Sequence, residues 1–292
     1  MGLIQSILMG IVQGLSEFLP ISSSAHLVFT SNFYKVFKRI EIVGQSNEEI
    51  FFDIMLHLGT LIAVLIFFRK DVWAICKAMY KSFAPFKGEM SVGQRGWINI
   101  PQEAKLGIYI IIGTMITIAL ALPLNDFAEH LVYHPAIVGS LLILTGGTLF
   151  LSEYLSKTRE EKSENLNLKQ SLLVGFAQGL AVLPGFSRSG WTIATGLLAG
   201  LNRETAARYS FLLSIPIILG ASMVYPLIKI DVAEAVNYNW LSILIGTIIS
   251  AIVGYLCIKY FMKFISKFSL NIFGWYCVVM GVITAIFFGF HS

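Results

Sequence analysis

Long apolar stretches alternate with short polar connections along nearly the whole chain. Six of these stretches contain about eighteen or more residues, which is the length that an α-helix needs to cross a bilayer. They lie at about 51–68, 106–124, 136–155, 209–228, 240–258 and 273–290. The pattern therefore predicts six transmembrane helices.

Four further apolar stretches are shorter, or are interrupted by proline and by clusters of serine. They lie at about 1–19, 23–34, 171–183 and 190–201. A bilayer crossing at these places would leave backbone groups without hydrogen-bond partners in lipid, and re-entrant helix pairs that are buried against protein avoid this cost. We therefore expect an all-α polytopic membrane protein with two re-entrant helix pairs.

The composition supports this class. Hydrophobic residues make up 56% of the chain and charged residues 13%, which excludes a soluble globular protein. No basic segment precedes the first apolar stretch, so we expect no removable signal peptide. The cysteines, Cys76, Cys257 and Cys277, lack the spacing of a metal site or a disulfide framework. The net charge of +4, with basic residues in loops, does not indicate nucleic-acid binding.

The basic residues are distributed unequally between the two predicted faces of the membrane domain. If each re-entrant pair returns to the side that it entered from, one face carries sixteen lysines and arginines and the other carries four. The positive-inside rule makes the sixteen-charge face cytoplasmic and places both termini outside. Each half has three spans, so the single domain 1–292 is predicted to be an inverted repeat of about 1–155 and about 171–290.

The first re-entrant segment combines Gln13, Glu17, the serines Ser22–Ser24 and His26. Gln13 and Glu17 share one helix face, and their oxygens suit a hard divalent cation, Mg²⁺ or Ca²⁺. The serines precede a helix start, where hydroxyls either bind phosphate oxygens or only cap the helix. His26 can act as general acid, general base or nucleophile. Because a charged carboxylate at membrane depth is costly, Glu17 is predicted to be functional.

The second re-entrant segment is predicted to bind an anion. Gly185 lets the backbone approach a ligand closely, and the N–H groups around Ser187 and Ser189 are then free to bind it. Arg188 adds a planar, permanently charged group suited to phosphate. The alternative is that Arg188 only forms a structural ion pair with Glu17. In an inverted repeat the two broken helices meet near the bilayer midplane, so one composite site is expected.

A third polar pair begins the first span. Asp53 and His57 are four residues apart, on one helix face that can line the same cavity. The sequence leaves two interpretations equally open, which are participation in the site and buried hydrogen bonding.

Taken together, Gln13-x-x-x-Glu17 and the segments 19–26 and 184–190 resemble the signatures of the bacterial undecaprenyl-diphosphate phosphatases, the bacitracin-resistance family. The segment 211–216, Phe-Leu-Leu-Ser-Ile-Pro, and the layout of the spans extend this resemblance over nearly the whole chain. It implies hydrolysis of undecaprenyl diphosphate to undecaprenyl phosphate and inorganic phosphate, which recycles the lipid carrier of cell-wall synthesis. It also implies a divalent cation and an active site on the outer side of the bacterial cytoplasmic membrane.

The resemblance also implies roles for individual residues. The matching positions are Gln13 and Glu17 in the metal-binding element, Ser22, Ser23 and His26 in the serine–histidine element, Arg188 as the phosphate-binding arginine, and Arg203 as a further basic position. Two positions depart from the pattern, because Gln13 stands where some members carry Glu and Ala25 where Gly is common. The first departure predicts that Glu17 holds the cation together with phosphate oxygens and water.

Several alternatives remain open at the level of sequence. The nucleophile is Ser23 activated by His26, or His26 itself, or a water on the cation. A transporter or flippase of a prenyl phosphate lipid would use the same midplane site, and a membrane scaffold is the third and least favoured class. The expected partners are a prenyl diphosphate lipid and the bilayer, and the sequence leaves open whether the protein forms a homodimer.

Overall fold

The computed structural model describes residues 2–37, 46–83, 100–157, 162–229 and 237–290. These ranges contain eleven α-helices and no β-strand. The helices are α1 (Leu3–Ser16), α2 (Ser23–Phe37), α3 (Asn47–Phe67), α4 (Arg69–Phe83), α5 (Gln102–Leu131), α6 (Pro135–Lys157), α7 (Leu168–Leu180), α8 (Arg188–Leu198), α9 (Arg203–Lys229), α10 (Trp240–Ile265) and α11 (Asn271–Gly289).

Six of the described helices are long and apolar enough to cross a membrane, namely α3, α5, α6, α9, α10 and α11. Each of them contains one of the six predicted apolar stretches, apart from a residue or two at its ends. The prediction of an all-α polytopic membrane protein is therefore confirmed. Helix α5 extends beyond its predicted stretch to Leu131, because Asn125 and Asp126 end the apolar pattern without ending the backbone hydrogen bonding.

Four of the five shorter helices in the described residues occur as two pairs, α1 with α2 and α7 with α8, and each pair is broken where the sequence predicts. Pro20 lies in the first break and Pro184 in the second. Proline cannot donate a backbone hydrogen bond, which ends each preceding helix nearby. The first break is packed against protein, since Phe18 is fully buried and contacts Phe211 edge-to-face with a centroid separation of 5.5 Å. This packing fixes the backbone next to Glu17.

The short helix pair of each half of the chain packs against a span of the other half. Helix α1 packs along α10 of the second half, and α7 packs along α5 of the first, while α6 packs against α11. Small residues allow the close approach at these contacts: a Cβ on Gly10 would lie 2.6 Å from the Gly246 carbonyl, and one on Gly175 would lie 2.6 Å from the Gly113 carbonyl. A two-fold relation between the two halves would produce this reciprocal packing. The boundaries of the predicted repeats stay a prediction.

Candidate active site

A cavity of about 430 Å³ lies where the breaks of both short helix pairs meet the ends of three spans. One part of its wall is polar and includes Glu17, Ser23, Ser24, Asp53, His57 and Arg188. The remaining wall is largely apolar and includes Ile50, Ile54, Val132, Val182, Phe186 and Ile217. The cavity therefore combines a charged end with an apolar wall, which suits a ligand with a polar head and a hydrocarbon tail.

Glu17 is the centre of the polar end, and its side chain is only 6% exposed. Arg188 Nη2 donates a hydrogen bond to Glu17 Oε1 at 2.5 Å. Ser23 Oγ donates to Glu17 Oε2 at 2.6 Å, and Gln13 Nε2 donates to the same oxygen at 3.0 Å. Residues from both short helix pairs thus converge on one carboxylate, as the sequence predicts, while their role as one composite site stays a prediction. The ion pair with Arg188, considered as an alternative to anion binding, is formed inside the cavity.

Ser23 and Arg188 occupy equivalent positions, since each is the first residue of the second helix in its pair. The serine before each one caps that helix: Ser22 Oγ accepts from the Ala25 N–H at 3.3 Å, and Ser187 Oγ accepts from the Gly190 N–H at 3.1 Å. Capping of this kind satisfies a helix donor that has no partner within the helix. The first residue of each of these two helices therefore contacts the Glu17 carboxylate.

Ser22, Ser187 and Ser189 are buried and lie behind the cavity wall. Ser189 Oγ donates to the Leu19 carbonyl at 2.9 Å, and Ser22 Oγ donates to the Phe186 carbonyl at 3.5 Å. Each break thereby fixes the backbone of the other. These contacts explain the serines as caps and cross-links between the pairs, while direct substrate contact by them stays a prediction.

In the structure, Gly185 has a different role from the one that the sequence predicted. Its φ is +101°, and a Cβ at this position would lie 2.4 Å from the Val138 carbonyl oxygen of α6. Its own carbonyl accepts from Thr145 Oγ1 at 3.0 Å. The glycine therefore permits the second break to pack against α6, and Gly185 does not line the cavity.

His26 faces away from the cavity. Its Nδ1 is 2.8 Å from the Ser22 carbonyl, and its Nε2 is 2.7 Å from the Tyr276 hydroxyl of α11. The two rings are also nearly parallel, with centroids 5.6 Å apart. Both ring nitrogens are thus engaged by the protein, and the hydroxyl of Ser23 is bonded to Glu17 instead. The catalytic role of His26 stays a prediction, and no sequence signal pointed to Tyr276.

His57 does line the cavity, so the structure places the Asp53–His57 pair at the site. The Nδ1 atom of His57 is 2.8 Å from the Asp53 carbonyl, and its Nε2 is 3.7 Å from Glu17 Oε2. The side chain is 33% exposed. Of the histidines in the described residues, His57 is therefore the one whose ring reaches the central carboxylate.

The donor atoms at Glu17 limit how a divalent cation can be held. Within the described ranges no three His, Cys, Asp or Glu side chains converge as a metal site. Gln13 turns its amide nitrogen towards Glu17, and its buried Oε1 has no hydrogen-bond partner. This set does not fit an all-protein cage of six or more oxygens, as Ca²⁺ prefers. It fits a cation that takes one carboxylate from the protein and completes its shell with phosphate oxygens and water, as Mg²⁺ does.

The structure does not bring Arg203 to the cavity. Arg203 Nη2 donates to Glu153 Oε2 at 2.5 Å, and its Nη1 donates to the Phe268 carbonyl at 2.6 Å. Glu153 is 1% exposed and also accepts from the Leu270 N–H at 2.8 Å. Arg203 thus ties the start of α9 to the end of α6 and to the connection between α10 and α11.

Replacing Arg203 by glutamine is expected to destabilise the protein without weakening substrate binding. The change leaves the buried Glu153 carboxylate without its cation, which costs about 3–5 kcal/mol. Thermal melting in detergent measures this loss, and KM is expected to stay unchanged. Arg208→Gln is the matched control, because its partner Asp71 is more exposed and such pairs contribute about 1 kcal/mol or less. A raised KM with unchanged melting would instead place Arg203 in substrate binding.

Comparison with known proteins adds independent information on the whole chain. Residues 6–283 match the family model described as bacitracin resistance protein BacA. The chain is 40% identical over 284 residues to the undecaprenyl-diphosphatase of Methanosphaera stadtmanae, covering 97% of both chains. It is 41% identical over 287 residues to that of Methanobrevibacter smithii, covering 97% of this chain and 96% of the relative. Identity to the undecaprenyl-diphosphatase of Halothermothrix orenii is 39% over 294 residues, covering 99% of both.

Proposed function

Because this chain belongs to the bacitracin resistance protein BacA family, we propose that it hydrolyses undecaprenyl diphosphate to undecaprenyl phosphate and inorganic phosphate. The observation that carries the proposal is the pairing of Glu17 with Arg188 at the charged end of a cavity whose remaining wall is largely apolar. The diphosphate fits the charged end and the first isoprene units fit the apolar wall. Nothing in the comparisons favours a transporter.

The charged end is arranged to attract and hold a diphosphate. Arg188 supplies a guanidinium group that binds phosphate oxygens with two parallel hydrogen bonds. The N-termini of α2 and α8 begin at Ser23 and Arg188, and helix N-termini favour anions. When Arg188 turns to phosphate, Glu17 Oε1 loses its hydrogen bond from the guanidinium and is released.

Glu17 is placed to accept a proton during phosphoryl transfer. The Ser23 hydroxyl already donates to Glu17 Oε2 at 2.6 Å. Either this hydroxyl or a water in its place attacks the terminal phosphorus, its proton passes to Glu17, and undecaprenyl phosphate leaves. A serine attack would give a phosphoserine, which water then hydrolyses. This arrangement replaces His26 with Glu17 as the proton acceptor for Ser23.

A divalent cation is part of the proposal. Glu17 would hold it, with phosphate oxygens and water as the other ligands, and Gln13 lies one helical turn away. When bound, the cation neutralises phosphate charge and thereby polarises the phosphorus. Mg²⁺ suits these donors better than Ca²⁺ does.

Phosphate release from the purified protein in detergent tests the function directly. We expect the wild type to release phosphate from a long-chain prenyl diphosphate, and the release to stop when a chelator is added and to resume with excess Mg²⁺. The corresponding prenyl monophosphate is the control and is expected to release nothing. Detergent offers no sealed compartment, so a pure transporter would show no product. Absence of release from a folded wild type would therefore contradict the proposal.

The cavity lies at the ends of the spans that the charge distribution places outside. It is lined by the first turns of α3, the last turn of α5 and the second half of α9. We propose that the site faces the outer side of the bacterial cytoplasmic membrane. The exposed Cys76 on α4 belongs to the opposite face, so its labelling by a membrane-impermeant thiol reagent in intact cells would contradict this orientation.

A further inference from the structure

His57 and His26 form the same local contact but differ in what faces their second ring nitrogen. In both residues Nδ1 lies 2.8 Å from the carbonyl oxygen four residues earlier, which is Asp53 for His57 and Ser22 for His26. This contact places the proton on Nδ1 and leaves Nε2 with a lone pair. The Nε2 of His26 is occupied by the Tyr276 hydroxyl at 2.7 Å, so it is not available as a ligand.

The Nε2 of His57 points into the cavity beside the central carboxylate. It lies 3.7 Å from Glu17 Oε2, and among the described residues no hydroxyl or amide is within hydrogen-bonding distance of it. Two atoms at that separation can ligate one ion, because each metal–ligand bond measures about 2.1 Å. A histidine that ligates a metal through one nitrogen usually donates its other N–H to a carbonyl or carboxylate. His57 already has this second contact.

Gln13, the partner that sequence spacing assigns to Glu17, does not have such a placement. It approaches Glu17 through its amide N–H group, and it does not line the cavity. A positively polarised N–H cannot ligate a cation. The structure thus supports Gln13 as a hydrogen-bond donor that orients Glu17.

We propose that His57 Nε2 is the second protein ligand of the divalent cation, alongside Glu17, and that Gln13 orients Glu17 from behind. The inference rests on the proposed function, since phosphate oxygens of the substrate complete the coordination shell. An imidazole ligand shifts the preference from Ca²⁺ towards Mn²⁺ and other first-row metals that accept nitrogen.

Electron spin echo spectroscopy of bound Mn²⁺ tests the assignment without relying on turnover. The purified protein is loaded with Mn²⁺ and methylenediphosphonate, a non-hydrolysable source of diphosphate oxygens. We expect modulation from an imidazole nitrogen, with the frequencies changing when the histidines are ¹⁵N-labelled. In His57→Gln we expect the modulation to disappear and Mn²⁺ affinity to fall about tenfold or more. His26→Gln is the matched control and is expected to keep both.

The outcomes separate the inference from the proposed function. Modulation that persists in His57→Gln, or that is lost only in His26→Gln, would overturn the assignment. Wild-type protein that binds Mn²⁺ without any imidazole modulation would also overturn it. His57→Asn serves as a second variant, and the melting temperature shows whether each variant folds. Phosphate release by the wild type with Mg²⁺ is measured separately, so failure of the hydrolysis and failure of the ligand assignment are distinguishable.

Discussion

Arg188→Gln is expected to lower the rate of phosphate release by about three orders of magnitude. The guanidinium is the positively charged group at the polar end of the cavity, where the diphosphate is proposed to bind, and it forms the 2.5 Å contact with Glu17. Glutamine retains hydrogen-bonding capacity but supplies neither positive charge nor a two-pronged donor. Single-turnover phosphate release with saturating prenyl diphosphate measures the chemical step separately from binding. Arg188→Lys is expected to recover only part of the rate, because lysine binds phosphate as a point charge.

A double variant separates the electrostatic and the structural roles of this ion pair. Arg188→Gln leaves the buried Glu17 carboxylate uncompensated, which costs about 3–5 kcal/mol of stability. Adding Glu17→Gln removes that charge, so the melting temperature is expected to return towards that of the wild type, while the activity is expected to stay as low as in Arg188→Gln or to fall further. Recovery of activity together with stability would show that the pair only supports the fold.

Gly185→Ala is expected to disrupt the site through the backbone. Left-handed backbone costs a residue with a Cβ about 1–2 kcal/mol, and the 2.4 Å contact with the Val138 carbonyl adds an overpacking cost of about 1–3 kcal/mol. The second break must then move away from α6, and Arg188 moves with it. Thermal melting and phosphate release in detergent are both expected to fall.

Gly147→Ala is the matched control for this substitution. Gly147 lies in α6, the helix that Gly185 contacts, and a Cβ there meets no atom within 4 Å. Its melting temperature is expected to stay equal or to rise slightly, because alanine favours helix over glycine by about 1 kcal/mol. Equal melting temperatures of the two variants would show that the close contact between Gly185 and α6 does not contribute to stability.

The helices were predictable because their signals are local. Apolar length marks the six spans, and Pro20 and Pro184 mark the breaks of the short pairs. The convergence of Glu17 and Arg188 followed from the expected inverted repeat, which brings the two breaks together. Chemistry and coarse topology were sufficient for these features, since a charge in an apolar segment requires a partner.

The rest depends on side-chain direction, which spacing alone does not determine. Gln13 and His26 both lie within nine residues of Glu17 in sequence. Gln13 presents its amide N–H to Glu17, however, and His26 points to Tyr276. Helical spacing places a residue on a face but does not say which atom it presents. Arg203 is a second example. Its match to a basic position of the family did not predict that its side chain pairs with Glu153.

The distance along the chain between Glu17 and its cation has a consequence for biogenesis. The two residues are 171 positions apart, so ribosomal synthesis delivers the acid to the membrane long before the arginine exists. During that interval the first short helix pair carries a carboxylate that has no counter-charge from the second half, and deep insertion is unfavourable for it. We therefore expect the nascent N-terminal segment to stay near the aqueous interface until the second half arrives. Completion of the chain thus controls when the enzyme first becomes competent.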